Sequence, residues 1–279
     1  MSTHHRLTRR ARLRSQALQE PHLLAQAHLL AISSRDPITV PARAWQQRLE
    51  GHLFRQLGYF HIAGRHQGGM RITRICPGKE SLEISFSNMP RYQISKLANS
   101  LPSWYAGEQA LANGYPGLRY RPLPQAQGIE FYVLARPCSV IVKGVSVPAF
   151  EEACLSNLDD ELEGARTEQY LHRAEALSTR PEEHESDLAV SAIIRRAGIF
   201  LASNADSIDL WSTRPDRLSL EIITQDRSEP TFNKIISGLT SAELTPRLLM
   251  TKTEGYRGYR TTFRLEGSAT EIDLRIQTL

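Results

Sequence analysis

Hydrophobic and polar positions follow two rhythms along this chain. Trp45, Leu49, Leu53 and Leu57 recur every four residues, with Arg48, Glu50, Arg55 and Gln56 between them. That spacing predicts an amphipathic helix, opened by Pro41 and stopped at Gly58. Leu82, Ile84 and Phe86 then alternate with Glu83, Ser85 and Ser87, which is the period of a half-buried strand. Further strands are expected at 60–64, 70–75, 118–121, 129–135 and 140–147, with a helix after Asn88–Pro90 that ends at Pro102. From Pro148, Phe150, Cys154, Leu158, Leu162 and Ala165 fall on one helical face and acids on the other, predicting a long helix to about Leu177. Nearer the start, Leu23, Leu24, Ala27, Leu30 and Ala31 predict a helix over 22–33, after a basic segment read as an arm or the beginning of a helix.

The order then returns. Residues 188–196 read as a helix ending near Gly198. Phe200, 208–211 and 218–224 read as strands, 231–239 as a helix, and 248–253, 259–265 and 271–277 as strands. One phrase marks the correspondence. Gly58-Tyr59-Phe60 precedes Ser81-Leu82-Glu83-Ile84, and Gly198-Ile199-Phe200 precedes Ser219-Leu220-Glu221-Ile222. The expected class is α+β in tandem duplicated units, each helix–three strands–helix–two strands. Each unit is expected to form an antiparallel sheet with helices on one face, and a long acidic helix to join the two. The expected divisions are a basic arm and short helix at 1–40, a first unit at 41–148, the acidic helix and linker at 149–187, and a second unit at 188–279.

Composition changes this picture little, but charge changes it more. With 41% apolar and 23% charged residues the chain belongs with globular proteins, not with disordered or fibrous ones. No apolar run approaches the length of a membrane span, so no membrane partner is expected. The modest net charge of +4 hides an asymmetry. Residues 1–150 carry 19 Lys+Arg against 7 Asp+Glu, and 151–187 carry 3 against 12. A basic half attracts anionic partners. The alternative is that the acidic segment folds back and neutralises it internally. Three scattered cysteines, Cys76, Cys138 and Cys154, suit a reducing cytoplasm and form neither a disulfide framework nor a zinc pair. Residues 1–19 lack the apolar core of a secretory signal, and an arginine-rich transit peptide is the lesser alternative.

Chemistry leaves few traces. His61 and His66 lack a third ligand, so no metal is expected, and no cofactor loop is present. Gly64 to Gly69 reads as a hairpin turn, Asp159-Asp160-Glu161 as a solvated face, and Cys154 as core. No catalytic residues are expected. Two arginine–tyrosine segments stand at corresponding places in the two units: Arg119-Tyr120-Arg121, and Tyr256-Arg257-Gly258-Tyr259-Arg260. Arginine neutralises phosphate and tyrosine offers a ring for base stacking. With Arg9, Arg10 and Arg12 of the arm, these are the candidate residues for binding nucleic acid, with RNA included. The bland alternative is a pair of ordinary hairpins. Residues 43–177 resemble small secretion-chaperone-like domains in element order alone, which implies a protein-binding module. Two paired α+β units are also similar to RNA-processing endonucleases, although the strand order suits that comparison poorly.

Overall fold

The computed structural model describes residues 3–31, 38, 42–57, 59–60, 70–102, 114–134, 136–156, 175, 185–201, 205–214, 216–224, 229–242, 244, 246–255 and 259–278. Helices α1 (Thr3–Leu18) and α2 (His22–Leu30) lead into α3 (Ala44–Leu57). Strands β1 (Tyr59–Phe60), β2 (Ile72–Pro77) and β3 (Ser81–Phe86) are followed by α4 (Arg91–Ala98). Strands β4 (Leu118–Leu123), β5 (Gly128–Val133) and β6 (Ser139–Lys143) precede α5 (Val147–Ser156). The second half begins with α6 (Glu185–Ile194) and the short α7 (Gly198–Leu201). Strands β7 (Ala205–Arg214) and β8 (Arg217–Thr224), helix α8 (Glu229–Leu239), and strands β9 (Leu248–Gly255), β10 (Tyr259–Leu265) and β11 (Glu271–Thr278) complete it.

The molecule is α+β with two mixed sheets. One runs β2-β3-β6-β5-β4 and the other β1-β7-β8-β11-β10-β9. In each half a hairpin is followed by a helix and then by a three-strand meander. The last meander strand returns beside the second hairpin strand and lies parallel to it, β6 on β3 and β11 on β8. The remaining neighbours are antiparallel. The expectation of antiparallel sheets is therefore corrected. Alternation shows which face of a strand is buried, but a parallel and an antiparallel neighbour bury the same face, so the pattern does not choose between them. The expected three strands, helix, two strands is likewise two strands, helix, three strands within each sheet.

The Ser-Leu-Glu-Ile segments occupy equivalent places, on β3 and β8. Leu82 and Ile84 face Val140 and Val142, while Leu220 and Ile222 face Leu274 and Ile276, and all eight are buried. The glycine-to-phenylalanine halves of the phrase diverge. Tyr59 and Phe60 leave their own half and extend the other sheet, pairing with Asp209 and Ile208 of β7. Phe200, expected in a strand, lies in helix α7 and is fully buried. Gly198 does not stop the preceding helix. A Cβ there would stand 2.2 Å from the Gln16 carbonyl oxygen and 2.7 Å from that of Ala17, so the glycine lets α1 lie against α7. Gly58 and the expected extension of α5 toward Leu177 lie outside the described residues.

Helices α3 and α6 pack on each other and bind the halves together, and α3 touches both β6 and β7. A Cβ on Gly51 would meet the Cβ of Asp187 at 2.3 Å and its Cα at 2.4 Å, so the two backbones cross with nothing between them. Two arginine–carboxylate contacts run across this crossing in opposite directions. Arg195, just past the end of α6, donates to Glu50 through Nε at 2.8 Å and Nη2 at 2.6 Å. Ser191 and Gln46 donate to the same carboxylate at 2.6 and 2.8 Å. Arg195 also reaches the Gly78 carbonyl of the β2–β3 turn at 2.9 Å. In the other direction Arg55 Nε lies 3.1 Å from Asp187 Oδ1. Arg55 precedes Gly58 by three residues and Arg195 precedes Gly198 by three. Below this layer the apolar residues of both halves join in one continuous core.

Candidate nucleic-acid interface

The expected ligand residues fall into three groups, and the fold treats each differently. The first is on α1, which is a docked helix and not an arm. Ala11, Ala17 and Leu18 are buried on its inner side. Arg14 anchors its end, donating from Nε to Glu20 at 2.6 Å and from Nη1 to the Ile38 carbonyl. Arg6, Arg9 and Arg12, three residues apart, are exposed on the outer side. Arg10 is only 3% exposed and belongs to the inner side.

The second group is on β4. Arg119 is fully buried, with Nη1 and Nη2 donating to the two oxygens of Glu175 at 2.9 and 2.7 Å. The same carboxylate accepts the Gly117 amide at 2.7 Å. This removes Arg119 from any solvent-facing set. Tyr120 packs edge-on against Phe150, ring centres 5.1 Å apart, so its ring is spent on the core. Arg121 remains exposed, 3.5 Å from Glu130 and above the Tyr132 ring. The acidic segment does reach back into the basic half. Glu175 pairs with Arg119, Asp187 with Arg55, and Glu152 with Arg91 at 3.8 Å. Part of the basic half's charge is therefore neutralised internally.

The third group lies on the second sheet. Tyr256 and Arg257 lie outside the described residues, and Tyr259 pairs with Gly255 and Ile276 at the start of β10. Arg260 makes a two-pronged contact with Asp273, Nε to Oδ1 at 2.9 Å and Nη2 to Oδ2 at 2.6 Å. Asp273 is 1% exposed and holds more than this one cation. Arg217 and Arg275 also point Nη2 atoms at Oδ2, at 3.5 and 3.7 Å. Burial alone would raise the Asp273 carboxyl, but the hydrogen bond from Arg260 and the charges of Arg260, Arg275 and Arg217 hold it below the usual carboxylate range.

Strand register explains how these side chains meet. Leu218, Leu220 and Ile222 of β8 face the core beside Ile272, Leu274 and Ile276 of β11. The intervening residues share the opposite face. There Trp211, Ser219, Asp273 and Thr262 form one cross-strand row. Arg217, Glu271 and Arg264 lie on one side of it, and Glu221, Arg275 and Arg260 on the other. Sequence reasoning singled out Arg260 but missed Arg217, Arg275, Asp273 and Trp211. The alternation of Ile272, Leu274 and Ile276 with Asp273 and Arg275 was visible, but the parallel β8–β11 pairing that brings Arg217 beside them was not.

Among the described residues no cluster of histidine, cysteine and carboxylate side chains is arranged to hold a metal ion. His61, His66 and the Asp159-Asp160-Glu161 run lie outside them. Also among the described residues, no helix is long and apolar enough to cross a membrane. Comparisons with protein-family models, with curated proteins and with solved structures found no match to this chain.

Proposed function

We propose that this protein binds nucleic acid without catalysing a reaction on it, as a subunit of a larger cytoplasmic assembly. The observation that carries this reading is the row Arg6, Arg9 and Arg12 on the outer side of a docked helix, in a segment with no acid between residues 1 and 19. A helix held by its inner side offers cations in a fixed line, and such a line suits a phosphate backbone. Arg121 and the arginines of the second sheet add to it. Apart from β1 at the edge of the second sheet, the two sheets share one strand order and one set of strand directions, which further supports an origin by internal duplication.

Filter binding against salt tests the function. Replacing Arg6, Arg9 and Arg12 by glutamine is expected to lower the slope of log affinity against log salt by about 2 to 3. Affinity of the intact protein that stays level between low and moderate salt overturns the reading.

A second reading, a protein-binding module, is favoured by α2. Its Leu23 and Leu30 are 79% and 71% exposed, and Ala27 between them is exposed too. Recovery of a protein partner after nuclease treatment, lost on Leu23→Gln with Leu30→Gln, supports it.

A further inference from the structure

We propose that the polar face of the second sheet, opposite its core, is a seat for an unpaired nucleic-acid strand, with one base stacked on Trp211 and its phosphate held by Arg217 and Arg275. This rests on the nucleic-acid reading but places the ligand on a different surface from α1. Three guanidinium groups converge on one carboxylate oxygen; Glu271 and Glu221 stand opposite Arg217 and Arg275 in register, so what the cluster offers is local cation geometry and not a net surplus of charge. Arg260 takes both oxygens of Asp273 at short range. Arg217 and Arg275 are left with long contacts of 3.5 and 3.7 Å, while their side chains are 35% and 43% exposed. Arg275 Nε is buried without a hydrogen-bond partner among the described residues, so it is the outer, part-exposed end of that guanidinium that a second anion would meet. Asp273 thus works as a post that orients cations and leaves two of them with capacity for a second anion. A phosphate oxygen lying over both completes their hydrogen bonding.

The same face supplies a ring. Trp211 sits across Ser219 from Asp273 in register and is half-buried, so part of its side chain meets solvent. An aromatic beside a phosphate-binding cation accepts a base only if that base is unpaired. The face of a sheet of several strands is too broad to enter a duplex groove, which admits a helix or a two-stranded ribbon. Acids on the face limit the bulk attraction: Glu271 lies 3.6 Å from Arg264, Glu221 accepts a hydrogen bond from Gln277, and Asp209 is buried. Binding here therefore depends on local geometry and stacking more than on a broad field.

Fluorescence anisotropy with a labelled oligothymidylate, an oligouridylate and a duplex of equal length tests the proposal on the full chain. Trp211→Leu is expected to weaken single-strand binding by about five- to 150-fold with no change in salt slope, and Trp211→Phe to retain most of it. Arg217→Gln with Arg275→Gln is expected to lower the single-strand salt slope by about 1.4. These arginines are part-exposed, so circular dichroism should show the double variant folded. The proposal is overturned if these variants bind like the intact protein while the Arg6, Arg9 and Arg12 variant loses binding, although the nucleic-acid reading then stands. Equal affinity for duplex and single strand also overturns it, as does displacement by polyglutamate at matched charge, which assigns the face to an acidic protein segment. If the intact protein binds no oligonucleotide at low salt, both readings fall together.

Discussion

Gly51→Ala sets two well-understood effects against each other. Gly51 is inside α3, where alanine is the better helix former by about 1 kcal/mol. Propensity alone therefore calls for a more stable protein. The structure calls for the reverse. An added Cβ would stand 2.3 Å from Asp187 Cβ, 2.4 Å from its Cα and 2.4 Å from its carbonyl oxygen. Carbon atoms rest at roughly 3.5–4.0 Å, so α3 and α6 must separate by about 1 Å. Two of the three obstructing atoms are backbone, so no side-chain rotation relieves the clash. Separation would also stretch the 2.6 Å contact between Arg195 and Glu50. Overpacking of this kind costs about 1–3 kcal/mol, and the stretched ion pair adds to it. The expected net loss is about 2 kcal/mol, measured by urea unfolding with the m value unchanged. Gly238→Ala is the control. Its nearest neighbours are all side-chain atoms of Ile199, with Cγ2 at 2.7 Å and no backbone among them, so a small shift of that side chain set against the gain in helix propensity replaces a forced separation of two backbones. Gly238→Ala is expected to be near neutral. A Gly51→Ala protein as stable as the parent would show that the helices do not cross as described.

The same interface yields further expectations. Burial pushes the Asp187 carboxyl up to about 6, against the pull of Arg55 and Arg48. A carboxyl raised in the folded state opposes folding once ionised, so its penalty grows as pH rises through the window from about 4 to 6 and then stays. Asp187→Asn should therefore be more stable relative to the parent near pH 7 than near pH 4, by at most about 3 kcal/mol, and parallel denaturation curves at the two pH values check this. Glu50→Gln should cost about 3–5 kcal/mol by leaving the buried Arg195 charge unpaired, while Glu50→Leu with Arg195→Met should cost much less; a double-mutant cycle by denaturant unfolding separates them. Arg196 is buried, which lowers it to about 10, and it donates to the carbonyls of Ala192, Leu239 and Pro246 at 2.8, 3.0 and 2.6 Å. Arg196→Lys loses the planar fork that spans all three, so thermal melting should show a loss of several degrees.

Much of the local structure was legible because burial on one face leaves a periodic trace. Leu82, Ile84 and Phe86 announced β3, and the four-residue spacing of Leu49, Leu53 and Leu57 announced α3. Where short segments lack a period, the reading failed. Gly198-Ile199-Phe200 resembles Gly58-Tyr59-Phe60, yet the first forms a helical turn while Tyr59 and Phe60 form a strand in the opposite half's sheet. Three residues cannot carry a period, so packing against α1 and against β7 decided them.

The candidate site shows the same division. The chain by itself determined which residues carry charge, which faces are apolar, and that strands and helices form an α+β protein with two sheets, because these follow from residue type and spacing. Only the tertiary structure decided which arginines meet solvent. Arg119 and Arg121 are two residues apart on β4, yet the first is closed over by Glu175, distant in the chain, and the second stays exposed. Arg217, Arg260 and Arg275 share one carboxylate because β8, β11 and β10 lie side by side. Charge is a property of a residue, but its availability depends on what the rest of the chain places beside it.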